Sequence, residues 1–136
     1  MPSVLYVDDE PTLRRLIGRW LSRVGFEVTC AENGHVAWEL VREKRFDVIL
    51  SDVRMPVMTG PELLEKVRSE RPEVPVILLS GSGEIRNKTQ AIERGAFDFL
   101  SKPVRLLDVE LAVRAATAFA ARRYRDARPA LAHASG

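Results

Sequence analysis

Cysteine is almost absent: Cys30 is the only one in 136 residues, which excludes an internal disulfide and suits a reducing compartment. No apolar run approaches the ~20 residues needed to cross a bilayer, so no membrane partner is expected. No basic region followed by a hydrophobic stretch opens the chain, so a signal peptide is not expected and the protein reads as cytoplasmic. Histidine is scarce too. His35 and His133 have no neighbouring ligands of the kind a zinc site needs, and both read as surface residues. Cys30 reads as a packed thiol. Internal repeats and low-complexity blocks are missing, which excludes repeat architectures.

A strong charge imbalance is lacking as well. The formal charge is +2, but Arg122, Arg123, Arg125 and Arg128 against Asp126 carry +3 of it, which leaves −1 for the rest. The basicity belongs to the tail. It reads as a solvated basic segment rather than a nucleic-acid surface, and nucleic acid is not an expected partner of this chain alone.

What is present is ordinary globular composition, 46% apolar and 29% charged, in a length that suits one domain. Strand-like and helix-like patterns alternate five times. Ser3-Val4-Leu5-Tyr6-Val7 is the first apolar run, and it stops at Asp8-Asp9-Glu10. Pro11 then opens a helix with Leu13, Leu16, Ile17, Trp20, Leu21 and Val24 at helical spacing, closed by Gly25. Glu27–Ala31 alternates in part, as an edge strand does. Asn33-Gly34 turns into a second helix with Val36, Ala37, Leu40 and Val41 on one face. Val48-Ile49-Leu50 reads as a strand buried on both faces, which leaves the core at Asp52.

Gly60-Pro61 starts a third helix with Leu63, Leu64 and Val67 inward. Val76–Leu79 is the fourth strand and stops at Ser80-Gly81-Ser82-Gly83. A poorly apolar helix follows, with Ile85 and Ile92 as its anchors. Ala96–Leu100 is a short fifth strand ending at Ser101-Lys102-Pro103. The last helix, from about Leu106, carries two apolar stripes: Leu106, Val109, Val113 and Ala116, and then Leu107, Leu111, Ala115 and Ala118. One stripe suffices for packing on a sheet. The second is either spare surface or a partner face. The domain is placed at 1–121, with 122–136 as a basic, Ala-rich extension or linker start; Pro129 and the Ala-rich end read as a frayed terminus or the start of a linker.

Five such units with short connections predict an α/β fold, a flavodoxin-like doubly wound parallel sheet of order 2-1-3-4-5 with helices on both faces. In that order the first and third strands are neighbours, so Asp8, Asp9 and Asp52 converge where the winding reverses. Ser80 and Lys102 end the adjoining strands. Two like charges ~4 Å apart cost about 4 kcal/mol at an effective dielectric of 20, so the cluster requires a cation or a raised pKa. A hard divalent ion such as Mg2+ suits the set, leaving Asp52 free to attack phosphorus. Lys102 would pair with the added charge and the Ser80 hydroxyl would donate to it. Taken singly, Asp8-Asp9-Glu10 also reads as an acidic helix start, Ser80 as a turn and Lys102-Pro103 as a strand exit.

Four motifs, in this order and spacing, identify a family: Val7-Asp8-Asp9-Glu10-Pro11, Ser51-Asp52-Val53-Arg54-Met55-Pro56-Val57-Met58-Thr59-Gly60, Leu79-Ser80-Gly81, and Gly95 through Pro103. Over roughly residues 3–121 the sequence resembles the receiver domain of two-component response regulators. The resemblance implies that Asp52 takes a phosphoryl group from the phosphohistidine of a histidine kinase or phosphotransfer protein. It implies Mg2+ on Asp9, Asp52 and the Arg54 backbone carbonyl, with Asp8 acting through water. Ser80 and Lys102 would contact the phosphoryl group, and the Lys102–Pro103 bond would be cis. Ser80 and Phe99 would form the switch, with Phe99 lying mainly inward because it has no hydroxyl to keep in water.

Further expectations follow. The chain is read as a signalling receiver, not an enzyme beyond its own phosphorylation and a slow dephosphorylation. Slowness is expected because Arg54 and Ser82, two residues after Asp52 and Ser80, lack the acid or amide that would position water. A phosphorylation-dependent homodimer through the last helix is a further expectation. The alternative is a receiver-like module that works by protein contact without phosphorylation. A flavin-binding flavodoxin is excluded because the first-strand acids would repel its phosphate. A hydrolase with an aspartate nucleophile would need a cap domain for which the chain has no room.

Overall fold

The computed structural model describes residues 1–81 and 85–135, with 124–135 given by backbone alone. Five parallel strands, β1 (Ser3–Val7), β2 (Glu27–Ala31), β3 (Val48–Asp52), β4 (Val76–Ser80) and β5 (Asp98–Ser101), form one sheet in the order β2-β1-β3-β4-β5. The helices α1 (Pro11–Arg23), α2 (Gly34–Glu43), α3 (Gly60–Glu70), α4 (Lys88–Glu93) and α5 (Leu106–Ser135) alternate with them. The expected architecture and strand order are thus observed. Among the described residues, no helix is long and apolar enough to cross a membrane.

Local chemistry explains most boundaries. Pro61 stands in the first turn of α3, where Thr59 and Glu62 form a reciprocal capping box. Asn33 caps α2 by accepting the Val36 N–H at 2.8 Å, and Asn87 caps α4 by accepting the Gln90 N–H at 2.9 Å. Gly25 and Gly95, at φ +108° and +97°, end α1 and α4 in the left-handed region. The period-2 alternation of each strand then sorts its side chains between two cores. Leu5, Val7, Ile49, Leu78 and Phe99 pack with Ala37, Trp38, Val41, Leu63 and Val67 on one face. Val4, Tyr6, Val48, Leu50, Ile77 and Leu79 pack with Ile17, Leu21, Val109 and Val113 on the other.

Several expectations are corrected. Ile92 is 45% exposed and does not anchor α4; Ala91 and Ile85 are buried instead, and Ile85 lies before the helix. Six residues wind too few turns to turn a second residue inward. Leu16 is 51% exposed, because helix α1 meets the sheet along Ile17, Gly18 and Leu21. Cys30 is exposed rather than packed, since β2 is the sheet edge and Cys30 borders a 670 Å3 groove with Arg14, Arg15, Arg19 and Arg23 of α1. On α5 the Val109, Val113 and Ala116 stripe is buried, while Leu107 and Leu111 are 58% and 55% exposed. The expectations for Ser82 and for the side chains of Arg125, Arg128, Pro129 and His133 lie outside the described residues, while the backbone of α5 continues helically to Ser135.

The loop from β3 to α3 contains a strained residue. The Met58 N–H donates to the Pro56 carbonyl at 2.8 Å across Val57, whose φ is +70°. That is the tight three-residue turn that β-branched residues rarely adopt. Val57 is 79% exposed, so its side chain contributes little packing in return. Relief of the strain, about 1–3 kcal/mol, exceeds the entropic cost of glycine, about 0.5–1 kcal/mol. Val57→Gly is therefore expected to stabilise the fold by about 1 kcal/mol, read as a higher urea midpoint at unchanged slope.

Candidate functional site

The site is built at the carboxyl ends of the strands. β1 and β3 pair with Val7 opposite Ser51, which brings Asp8 level with Asp52 at the reversal point of the winding. Asp8 is fully buried, Asp52 is 7% exposed and Asp9 faces solvent. One carboxylate oxygen from each of the three lies within 4.8 Å of the others. Asp52 pairs with Leu79 and Ser80 with Ser101, so Ser80 and Lys102 each stand one residue beyond the row. The Lys102 N–H donates to the Ser80 carbonyl at 2.9 Å, and the Lys102–Pro103 peptide is cis.

Asp52 cannot move far. Its carbonyl accepts the Ser51 hydroxyl at 2.9 Å, and the Val53 N–H donates to the Leu79 carbonyl. Gly60 closes the loop behind it. A Cβ there would stand 2.3 Å from the Asp52 carbonyl oxygen and 2.9 Å from Val53 Cα, so only glycine permits this approach.

The Lys102 ammonium neutralises part of the cluster. Its Nζ lies 3.1 Å from Asp52 Oδ2 and 3.5 Å from Asp8 Oδ2. Burial alone would depress the ammonium, but Asp52 and Asp8 outweigh it and hold its pKa above the ordinary range. Burial raises the Asp52 carboxyl above its ordinary 3.8; Lys102 opposes this, Asp8 adds to it, and an Arg54 backbone hydrogen bond works against it. Arg54 itself is exposed and lines a 320 Å3 groove with Asp9, Met55, Pro56 and Thr59. Ser80 is 5% exposed and Phe99 7%, the latter packed in the core on the α2–α3 face.

One contact had no place in the sequence reading. The Tyr6 hydroxyl, fully buried, donates to Asp8 Oδ2 at 2.8 Å, while the Glu10 N–H donates to Asp8 Oδ1 at 2.9 Å. Burial first, then Asp8, pushes the Tyr6 hydroxyl far above its usual range, so it stays a donor. The signal was available: residues 6 and 8 share one face of a strand, and Tyr6 is the only hydroxyl-bearing residue within an otherwise aliphatic segment, residues 4–7.

The donor set suits a hard divalent cation. It offers carboxylate oxygens alone, with one member open to solvent and excess negative charge to offset. Among the described residues, no histidine or thiolate joins the cluster to favour a softer metal.

Comparison with known proteins agrees with the motifs. Residues 4–114 match the model of the response regulator receiver domain. The chain is 39% identical over 113 residues to the regulatory protein AtoC of Escherichia coli, covering 83% of this chain and 24% of that protein. It is equally similar to the transcriptional regulatory protein SrrA of Staphylococcus aureus, covering 46% of it. The chain thus spans between a quarter and a half of these curated relatives. The response regulator TrrA of Thermotoga maritima, solved in complex with Mg2+–BeF, superposes with a TM-score of 0.76 at 27% identity, over 85% of this chain and 99% of that one.

The raised pKa of Asp52 has a sign. A carboxyl whose folded pKa lies above its unfolded value stabilises the fold when protonated, and that contribution is lost as pH rises through the folded pKa. At neutral pH the ionised Asp52 is therefore a net burden on the metal-free fold. Asp52→Asn is expected to raise the thermal midpoint at pH 7 by about 4 °C, the equivalent of roughly 1 kcal/mol. The gain should shrink as pH falls through the raised Asp52 pKa toward 3.8, and MgCl2 should narrow it by stabilising only the parent chain. A thermal scan across pH, with and without Mg2+, measures both.

Proposed function

The chain belongs to the family of response regulator receiver domains, and from that membership we propose that it is a phosphoacceptor receiver of a two-component phosphorelay. Asp52 is the acceptor. One carboxylate oxygen of Asp52 attacks the phosphorus of a phosphohistidine on a histidine kinase or phosphotransfer protein. The O–P bond forms as the N–P bond breaks, and the electron pair stays on the imidazole nitrogen. Asp9, Asp52 and the Arg54 backbone carbonyl would hold Mg2+, with Asp8 acting through water; bound there, the ion offsets charge and accepts phosphoryl oxygens.

The observation that carries this reading is the Lys102 ammonium 3.1 Å from Asp52 Oδ2 beside three converging carboxylates. Lys102 is placed to transfer its pairing from the carboxylate to the new phosphoryl oxygens. The Ser80 hydroxyl donates to another of them. As Ser80 moves, Phe99 follows into the space it leaves, and the α4–β5–α5 surface changes shape. The short α4, with one buried residue, gives little resistance. Likeness to TrrA, solved with Mg2+–BeF, supports the same cation and phosphoryl chemistry.

The chain is no enzyme beyond its own phosphorylation and a slow dephosphorylation, the latter because neither Arg54 nor Ser82 is suited to positioning water. It acts in the cytoplasm. Residues 1–121 form the receiver and 122–136 an extension or linker start, and the exposed Leu107 and Leu111 contribute to a phosphorylation-dependent dimer along α5.

Incubation with acetyl phosphate and Mg2+, followed by intact mass spectrometry, should add one phosphoryl group to the parent chain and none to Asp52→Asn. Chelation of the metal should abolish the reaction, and Lys102→Ala should slow it about 10²-fold. The adduct should last minutes or longer; a half-life of seconds would refute slow dephosphorylation. An unphosphorylatable parent chain would favour the contact-only module instead. Sedimentation with and without beryllofluoride tests the dimer, and a monomer under both conditions excludes it.

A further inference from the structure

Asp8 is the most enclosed member of the acidic cluster, and it does not stand alone. Its Oδ1 accepts the Glu10 N–H at 2.9 Å, which together with full burial sets the orientation of the carboxylate. Its Oδ2 accepts the Tyr6 hydroxyl at 2.8 Å and faces Lys102 Nζ at 3.5 Å, while Lys102 lies closer, at 3.1 Å, to Asp52. Tyr6, Asp8, Lys102 and Asp52 therefore form one chain of polar contacts from the α1–α5 core to the acceptor. Tyr6 is held at its root, packed among Ile17, Leu21, Leu50 and Val113, so its hydroxyl cannot swing away.

A hydrogen bond onto a carboxylate oxygen does two things. It occupies a lone pair, and it disperses the negative charge that a cation would otherwise draw upon. We propose that Tyr6 is a positioning residue for the phosphoacceptor site: by keeping Asp8 Oδ2 occupied, its hydroxyl holds Asp8 back from direct ligation of the divalent cation and leaves Lys102 on Asp52. The inference rests on the Mg2+ and phosphoacceptor reading above, and it adds a residue from the core that sets how strongly Asp8 competes for both cations.

Removal of the hydroxyl releases a lone pair without releasing the carboxylate, because the Glu10 N–H still fixes it. Tyr6→Phe should then bind Mg2+ more tightly, by about threefold to tenfold, the net contribution of one ordinary hydrogen bond. The same variant should show a lower half-saturating Mg2+ in phosphorylation by acetyl phosphate, with a maximal rate at least about threefold lower as Lys102 is drawn toward Asp8. A split of this kind is foreign to a purely structural role, which would lower stability and leave Mg2+ affinity unchanged or weaker.

The experiment is calorimetric titration of the whole chain with MgCl2 in the absence of phosphodonor, for the parent chain, Tyr6→Phe and protein labelled with 3-fluorotyrosine. The fluorinated ring is a stronger donor and keeps the tyrosine shape, so it serves even if Tyr6→Phe fails to fold. It should shift Mg2+ affinity the opposite way, to weaker binding. In an Asp8→Asn background the Tyr6→Phe effect should vanish. Tighter binding in Tyr6→Phe with weaker binding in the fluorinated protein supports the role. Unchanged affinity, or shifts in the same direction, overturns it while leaving phosphorylation of Asp52 untouched; a parent chain that binds Mg2+ but takes no phosphoryl group overturns the phosphoacceptor reading and, with it, this role for Tyr6.

Discussion

Mutual repulsion among Asp8, Asp9 and Asp52 is the constraint on which the rest of the structure depends. Three carboxylates within 4.8 Å, two of them buried, are unfavourable in a fold unless cations meet them. Lys102 meets part of the charge, and Asp52 and Asp8 in turn hold its pKa above the ordinary range, while burial, ahead of Asp8, raises that of Asp52. The packing around the cluster holds it together against that cost. β3 is buried along its whole length, its ladder to β4 continues through Val53 and Leu79, and Gly60 lets the loop close directly on the Asp52 carbonyl. Electrostatic strain of this kind leaves negative charge that a cation would offset.

The sheet order gathers further polar groups around that local cluster. β1 and β3 supply the acids, and β4 and β5 supply a hydroxyl and an ammonium at the same end, with the buried Phe99 ring farther back along β5. Lys102, 3.1 Å from Asp52, follows the strand that leads to α5, and Ser80 ends the strand that leads to α4. Those two helices differ in how they are held. α4 is six residues long with one buried, whereas α5 lays Val109, Ala112, Val113 and Ala116 against the sheet. The weaker of the two, α4, follows the strand that Ser80 ends, and its movement costs least.

Legibility in the sequence followed the reach of each signal. The five strands and their acidic or polar endings were readable because a strand buried on both faces is a short apolar run, and its exit is abrupt. Ile92, Leu16 and Cys30 were misplaced because periodicity states which residues share a face and not how wide a face the neighbouring element covers. α4 is too short to turn Ile92 inward, α1 touches the sheet along a narrow line, and β2 has no strand beyond it to cover Cys30. Tyr6 was read only as part of an apolar run, since a ring in a core strand fits that pattern whatever its hydroxyl does.

By itself the sequence determined the number and type of elements, the parallel order, the family and the identity of the acids, hydroxyl and lysine at the strand ends. These are local or periodic properties, carried by spacing, by prolines and glycines at turns, and by motif order. Only the tertiary structure decided which oxygen of which acid each donor meets: Lys102 nearer Asp52 than Asp8, Tyr6 on Asp8 Oδ2, Glu10 on Oδ1. Partners forty or more positions apart along the chain, as Lys102 and Asp52 are, are chosen by strand register and rotamer, and neither is written in the spacing of residues.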